Sequence, residues 1–101
     1  MKIAVLGTGH IGSTVGRLWH TAGHEVIFAA RDSAGPQALA AELGDRAHAA
    51  TVTGAVAAAE VVLVAVPGPV VVEVLSAAGS LDGKVIIDAA NMMGQHGTSL
   101  R

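Results

Sequence analysis

Six consecutive residues carry the clearest chemistry in this chain: Gly7-Thr8-Gly9-His10-Ile11-Gly12, three glycines in the spacing GxGxxG. A first glycine there permits a tight turn, a second lets backbone approach a bound group, and a third lets a following helix lie close to a preceding strand. Amide N–H groups at the start of such a helix have no internal acceptor and sit at the positive end of its dipole. Together they make a cradle for a diphosphate. His10 and Ile11 fill the variable positions, and His10 could meet the pyrophosphate. No Gly-Lys-Ser/Thr follows, which excludes a Walker loop and the nucleoside triphosphate hydrolysis it serves.

The residues after the next apolar run bear on which dinucleotide would fit. A carboxylate there binds the ribose 2′-hydroxyl of NAD, whereas an arginine accommodates the 2′-phosphate of NADP. Val26-Ile27-Phe28-Ala29-Ala30 leads directly into Arg31 and then Asp32, and Asp32 lies twenty residues beyond Gly12. Both readings have a residue. The planar guanidinium fork of Arg31 matches a phosphate, which favours NADP over NAD. A methyl-donor site of the Rossmann-like methyltransferase kind is a further alternative, against which the glycine spacing weighs.

These residues need a scaffold that delivers strand, turn and helix in that order. Ile3-Ala4-Val5-Leu6 is a short apolar run stopped by Gly7, as expected of a strand buried on both faces. Ile11, Val15, Leu18, Trp19 and Ala22 then recur at helical spacing, and Gly23 follows where a left-handed C-terminal residue would fall. Pro36, Leu39, Leu43 and Gly44 outline a second helix, residues 46–51 a short third strand, and Thr53 the N-cap of an Ala-rich helix running to Glu60. Val61 to Val66 is the most apolar strand, closed by Pro67, Gly68 and Pro69. Val70 to Ala78 carries both strand and helix signals, and the flanking Pro69 and Gly79 tip it to helix. Lys84 to Asp88 reads as a fifth strand. Strands alternating with helices imply right-handed crossovers and an α/β fold: a Rossmann-type parallel sheet, five strands in the order 3-2-1-4-5 with helices on both faces. The expected domain covers residues 1–91, with an irregular tail over 92–101 leading to a missing C-terminal region.

Composition narrows the partners. Of 101 residues, 51% are hydrophobic and 2% aromatic, so the core must be built from small aliphatic side chains in close contact. A net charge of -2 offers no basic face for nucleic acid. The longest apolar run, Val61 to Val66, is far short of the roughly 20 residues of a membrane-spanning helix. The chain has no cysteine, which fits a reducing cytosol and points to a cytoplasmic protein. His20 and His24 are four apart, but Gly23 should end the helix between them, so no metal site is expected. No residue stands out as a catalytic acid, base or nucleophile. Asp88, at the end of the fifth strand, suits a loop-holding role, and Ser13 on the first helix suits a phosphate contact. Val85-Ile86-Ile87 would form an apolar sheet edge at 84–88, which predicts a homo-oligomer or a further region of chain against it.

The chain resembles the NADP oxidoreductases that depend on the deazaflavin coenzyme F420. The likeness is carried by Met1 to Gly12, Ala22-Gly23-His24-Glu25-Val26, Ala30-Arg31-Asp32, Val64-Ala65-Val66-Pro67 and Gly83 to Asn91. It implies that Thr8 joins Arg31 on a 2′-phosphate, that Ala65, Val66 and Pro67 line the dinucleotide beyond the fourth strand, and that Asn91 lies towards the nicotinamide. Two positions depart from the family's habit: Ala30 stands where Ser or Thr often precedes the arginine, and Met92-Met93-Gly94 follows Asn91 where Pro is common. Similar first domains occur in imine reductases, pyrroline carboxylate reductases and hydroxyacid dehydrogenases. The function implied is an NADP(H)-binding domain moving hydride to or from a deazaflavin or a small carbonyl or imine. The alternative is a module that holds or senses the dinucleotide without turnover.

Overall fold

A computed structural model describes residues 1–7, 9–30, 34–65, 76 and 83–88. Five parallel strands, β1 (Lys2–Leu6), β2 (Glu25–Ala29), β3 (Ala47–Ala49), β4 (Val61–Val64) and β5 (Val85–Asp88), form one sheet in the order β3-β2-β1-β4-β5. That is the order expected from the alternation of elements. Helices α1 (His10–Thr21), α2 (Ala34–Leu43) and α3 (Val52–Ala58) connect the first four strands.

Register follows from burial on both faces. Ala4 pairs with Ile27 and Val62, and Val5 with Phe28 and Leu63. Because side chains alternate across a strand, these two rows face opposite ways. Val5, Val26, Phe28 and Leu63 join Ile11, Val15 and Trp19 of α1 and Leu39 of α2 on one side. Ala4, Leu6, Ile27, Val62 and Val64 join Ala55 and Val56 of α3 on the other. The sheet therefore has helices on both faces, and Ala and Val supply most of the packing material.

The helix ends show how local chemistry sets these lengths. Gly23 takes φ 99°, its N–H donates to the His20 carbonyl at 3.0 Å, and the His24 N–H donates to the Trp19 carbonyl at 3.1 Å. This is the paired closure of a Schellman turn, which needs a left-handed residue where Gly23 stands. At α3 the expectation is corrected. The N-cap is Thr51, not Thr53, and its side-chain oxygen accepts from the Gly54 N–H at 3.0 Å. The shift arises because β3 is only three residues long, so the chain is free to turn at residue 51. The helix also stops at Ala58, because the Glu60 N–H already donates to the Lys2 carbonyl in the sheet. Similarly, strand pairing in β5 begins at Val85, one residue later than expected, while the Lys84 ammonium donates to the Ala59 carbonyl at 2.7 Å. The expected helix over 70–78, Ser76 apart, and the tail over 92–101 lie outside the described residues. Among the described residues, no helix is long and apolar enough to cross a membrane.

Candidate functional site

The sheet order reverses beside β1: after β1 the chain moves outward through β2 and β3, then returns to β4 on the other side. The carboxyl ends of β1 and β4 form the crevice where open α/β sheets bind ligands. The GxGxxG segment lies at that point.

Each described glycine of the motif has a separate physical reason. Gly7 takes φ 106°, in the region side chains disfavour, and its N–H donates to the Ala29 carbonyl at 2.7 Å. The turn is thus anchored to the end of β2. Gly12 is buried, and a Cβ there would collide with the Gly7 carbonyl oxygen, lie 3.0 Å from its carbon and touch the Ala65 Cβ at 3.4 Å. Only glycine lets α1 sit this close to the end of β1. Ala65 is held beside it by its N–H, which donates to the Leu6 carbonyl at 2.8 Å.

Gly9 differs from both. Its φ is -73° and ψ -164°, an ordinary extended conformation, and among the described residues a Cβ there would meet nothing within 4 Å. Neither backbone strain nor packing by the described residues demands glycine at this position. What the missing side chain leaves is open space directly in front of the helix. Gly9 is the N-cap of α1, no side chain caps the helix, and its first turn holds no acidic residue. The first intrahelical bond runs from the Ser13 N–H to the Gly9 carbonyl at 2.9 Å, so the amides before Ser13 have no acceptor within the helix. A set of N–H groups without helix acceptors at the positive end of a twelve-residue helix fits a diphosphate.

His10 is exposed at the first position of α1, whereas Ile11 is half-buried and packs towards the α1 side of the core. Ser13 donates its hydroxyl to the His10 carbonyl at 3.3 Å. The structure therefore brings Gly7, Gly9, Gly12 and Ala65 to one place, with His10 at its rim. Thr8, Arg31, Asp32, Val66, Pro67 and Asn91 lie outside the described residues; Ala30, which precedes Arg31, is half-buried just past the end of β2.

Away from the turn, polar groups serve the fold. Arg17 of α1 pairs through both guanidinium nitrogens with Glu42 of α2; the hydrogen bond to Glu42 raises the Arg17 pKa and lowers that of Glu42. His20 Nε2 lies 2.6 Å from the Asp45 carbonyl. The described residues contain no group of three or more potential metal ligands.

One residue at this site escapes reading from the motif alone. Gly16 is buried on α1, and a Cβ there would lie 2.7 Å from Phe28 Cζ and closer still to Cε1. The signal available was its spacing: four residues after Gly12, on the same face of the helix.

The family profile described as NADP oxidoreductase, coenzyme F420-dependent, matches residues 2–92. No curated protein matches the chain. A protein from Arthrobacter sp. FB24, provisionally named an F420-dependent NADP-reductase, is 35% identical with a TM-score of 0.74, over 87% of this chain and 44% of that one. A reductive aminase from Aspergillus terreus, solved with NADPH and ethyl-5-oxohexanoate, is 30% identical with a TM-score of 0.72, over 86% of this chain and 30% of that one. An imine reductase from Pseudomonas sp. is 26% identical with a TM-score of 0.76, over 88% and 32% respectively. The chain spans less than half the length of each.

Proposed function

The chain belongs to the coenzyme F420-dependent NADP oxidoreductase family, and from that premise we propose that it is the NADP(H)-holding half of an oxidoreductase that moves hydride between NADP(H) and a deazaflavin or a small carbonyl or imine. The observation that carries this reading is the bare start of α1: open space at Gly9, uncapped amides, and Gly12 seated on the turn beside Ala65. The aminase was solved in complex with NADPH, and its likeness covers 86% of this chain.

In this reading the cofactor supplies the hydride and the protein supplies orientation and electrostatics. The Gly7 to Gly12 turn holds the diphosphate through backbone amides. Thr8 and Arg31 take the 2′-phosphate, with Asp32 beside them able to meet a ribose hydroxyl. Ala65, Val66 and Pro67 line the dinucleotide beyond β4, and Asn91 lies towards the nicotinamide. His10 occupies the rim, within reach of the pyrophosphate. The proposed domain runs over residues 1–91 in a cytoplasmic protein.

The hydride partner is contributed by surface outside the cradle. Val85, Ile86 and Ile87 on edge strand β5 are 60%, 39% and 39% exposed, an apolar strip of the kind that recruits another strand or subunit. We assign the strip to contact with a further region or a second copy. A monodisperse monomer by light scattering that stays monomeric with this edge uncovered counts against that assignment.

Calorimetric titration tests the cofactor reading. NADPH should bind, NADH more weakly and S-adenosylmethionine not at all; absence of heat with both nicotinamide cofactors overturns it. Arg31→Ala should lower NADPH affinity while leaving NADH affinity nearly unchanged, since only NADPH carries the 2′-phosphate. Hydride transfer to a deazaflavin, followed by loss of NADPH absorbance, separates an enzyme from a module that only holds the dinucleotide.

A further inference from the structure

Two glycines one helical turn apart bring α1 close to the sheet. Gly12 rests on the carbonyl of Gly7 at the end of β1, and Gly16 rests on the ring of Phe28 in β2. Phe28 is fully buried, pairs with Val5 across β1, and is the largest of the fully buried side chains described. It is also the chain's one phenylalanine, three residues before Arg31. The ring has little room to move aside, because Val5, Val26 and Leu63 share its cluster and interiors of this kind are close-packed.

The two seats meet different strands. One strand leads into the turn proposed to hold the diphosphate, and the other leads to Arg31, proposed to hold the 2′-phosphate. Resting the rigid helix on both strands sets how its N-terminal amides lie relative to the end of β2. We infer that the Gly16–Phe28 contact is a positioning device for the cofactor: the absence of a side chain at Gly16, matched to the Phe28 ring, sets where the amides at the start of α1 stand relative to the carboxyl end of β2. This rests on the dinucleotide reading above. Gly16 acts through the helix and touches no cofactor atom.

A methyl group at Gly16 must push the helix from the sheet by on the order of 1 Å, a displacement of the size that costs large factors when it misplaces binding groups. Shrinking the ring should relieve it.

The test compares NADPH titrations of the full chain with thermal unfolding for wild type, Gly16→Ala, Phe28→Leu and the double variant. Gly16→Ala should weaken NADPH binding at least tenfold. Phe28→Leu also lowers the melting temperature but leaves the dissociation constant within about threefold of wild type, because it leaves space where Gly16→Ala adds bulk. The double variant should recover most of the affinity. A purely structural role gives the opposite pattern: Gly16→Ala lowers the melting temperature while its folded molecules bind NADPH with unchanged affinity, and that result overturns the inference. Should Gly16→Ala alone fail to fold, Phe28→Trp, which adds bulk at the same contact from the ring side, takes its place. At least tenfold weaker NADPH binding by its folded molecules supports the positioning role, and unchanged affinity overturns it. Wild type that binds no NADPH overturns the dinucleotide reading and this inference together, whereas binding that Gly16→Ala leaves intact overturns this inference alone.

Discussion

Two helices of this protein begin in opposite ways. At α3, Thr51 turns its side-chain oxygen onto the Gly54 amide and satisfies the helix start from within the chain. At α1, Gly9 has no side chain, and a Cβ there would have none of the described residues within 4 Å. A threonine, serine or aspartate at Gly9 would cap α1 and is what helix stability alone favours. The difference separates a helix start closed by its own side chain from one without a side-chain cap, the one proposed to hold the diphosphate. The open one lies at the switch point of the sheet and the capped one begins right after the short β3.

The strongest way to break this contrast is to close the α1 seat. Gly12→Val puts side-chain atoms into the Gly7 carbonyl and should abolish NADPH binding while destabilising the fold by about 3 kcal/mol, the upper range for overpacking. Urea unfolding alongside titration checks both effects. Gly9→Ala is the sharper probe. Its methyl clashes with none of the described residues, so the melting temperature should stay within a degree or so, whereas NADPH affinity should drop at least tenfold as the methyl meets the diphosphate. Unchanged affinity there would remove the reason for a glycine at this position.

Thr51→Ala should show the inverse pattern. Loss of the cap costs about 1 kcal/mol of stability, read from the urea midpoint, with the NADPH dissociation constant unmoved. The smallest effect belongs to the Arg17–Glu42 pair, which joins α1 to α2 at the surface. Hydrogen bonding to Arg17 lowers the Glu42 pKa, so its contribution is present above the ordinary carboxylate range and is lost as pH falls through the lowered value. The melting-temperature difference between wild type and Glu42→Gln should therefore be slight near neutrality and vanish on acidification through the lowered Glu42 pKa. A difference that grows with acid contradicts the sign of that shift.

What could be read without coordinates followed from local signals. Ile3 to Leu6, Val26 to Ala29 and Val61 to Val64 are continuous apolar runs of strand length, and burial on both faces is the reason their sequence shows no alternation. Gly7, Gly12 and Gly23 were legible because a turn, a close approach and a helix stop each leave a glycine in a fixed place relative to an element. The Thr51 cap was less accessible. Thr51 and Thr53 are equally good cap residues, and the choice depends on β3 ending at Ala49, a pairing outcome with β2. Gly16 required still more, because its importance comes from a ring twelve residues away on another element. Local periodicity cannot show which side chain will oppose a helix glycine.

Backbone amide spectra of the labelled protein during NADPH titration test the central claim most directly, because they observe both helix starts at once. The account predicts saturable shifts at Gly9, His10, Ile11 and Gly12, with the Gly54 amide, held by Thr51, left in place. Saturable binding that leaves the amides of residues 9–12 unmoved would contradict it.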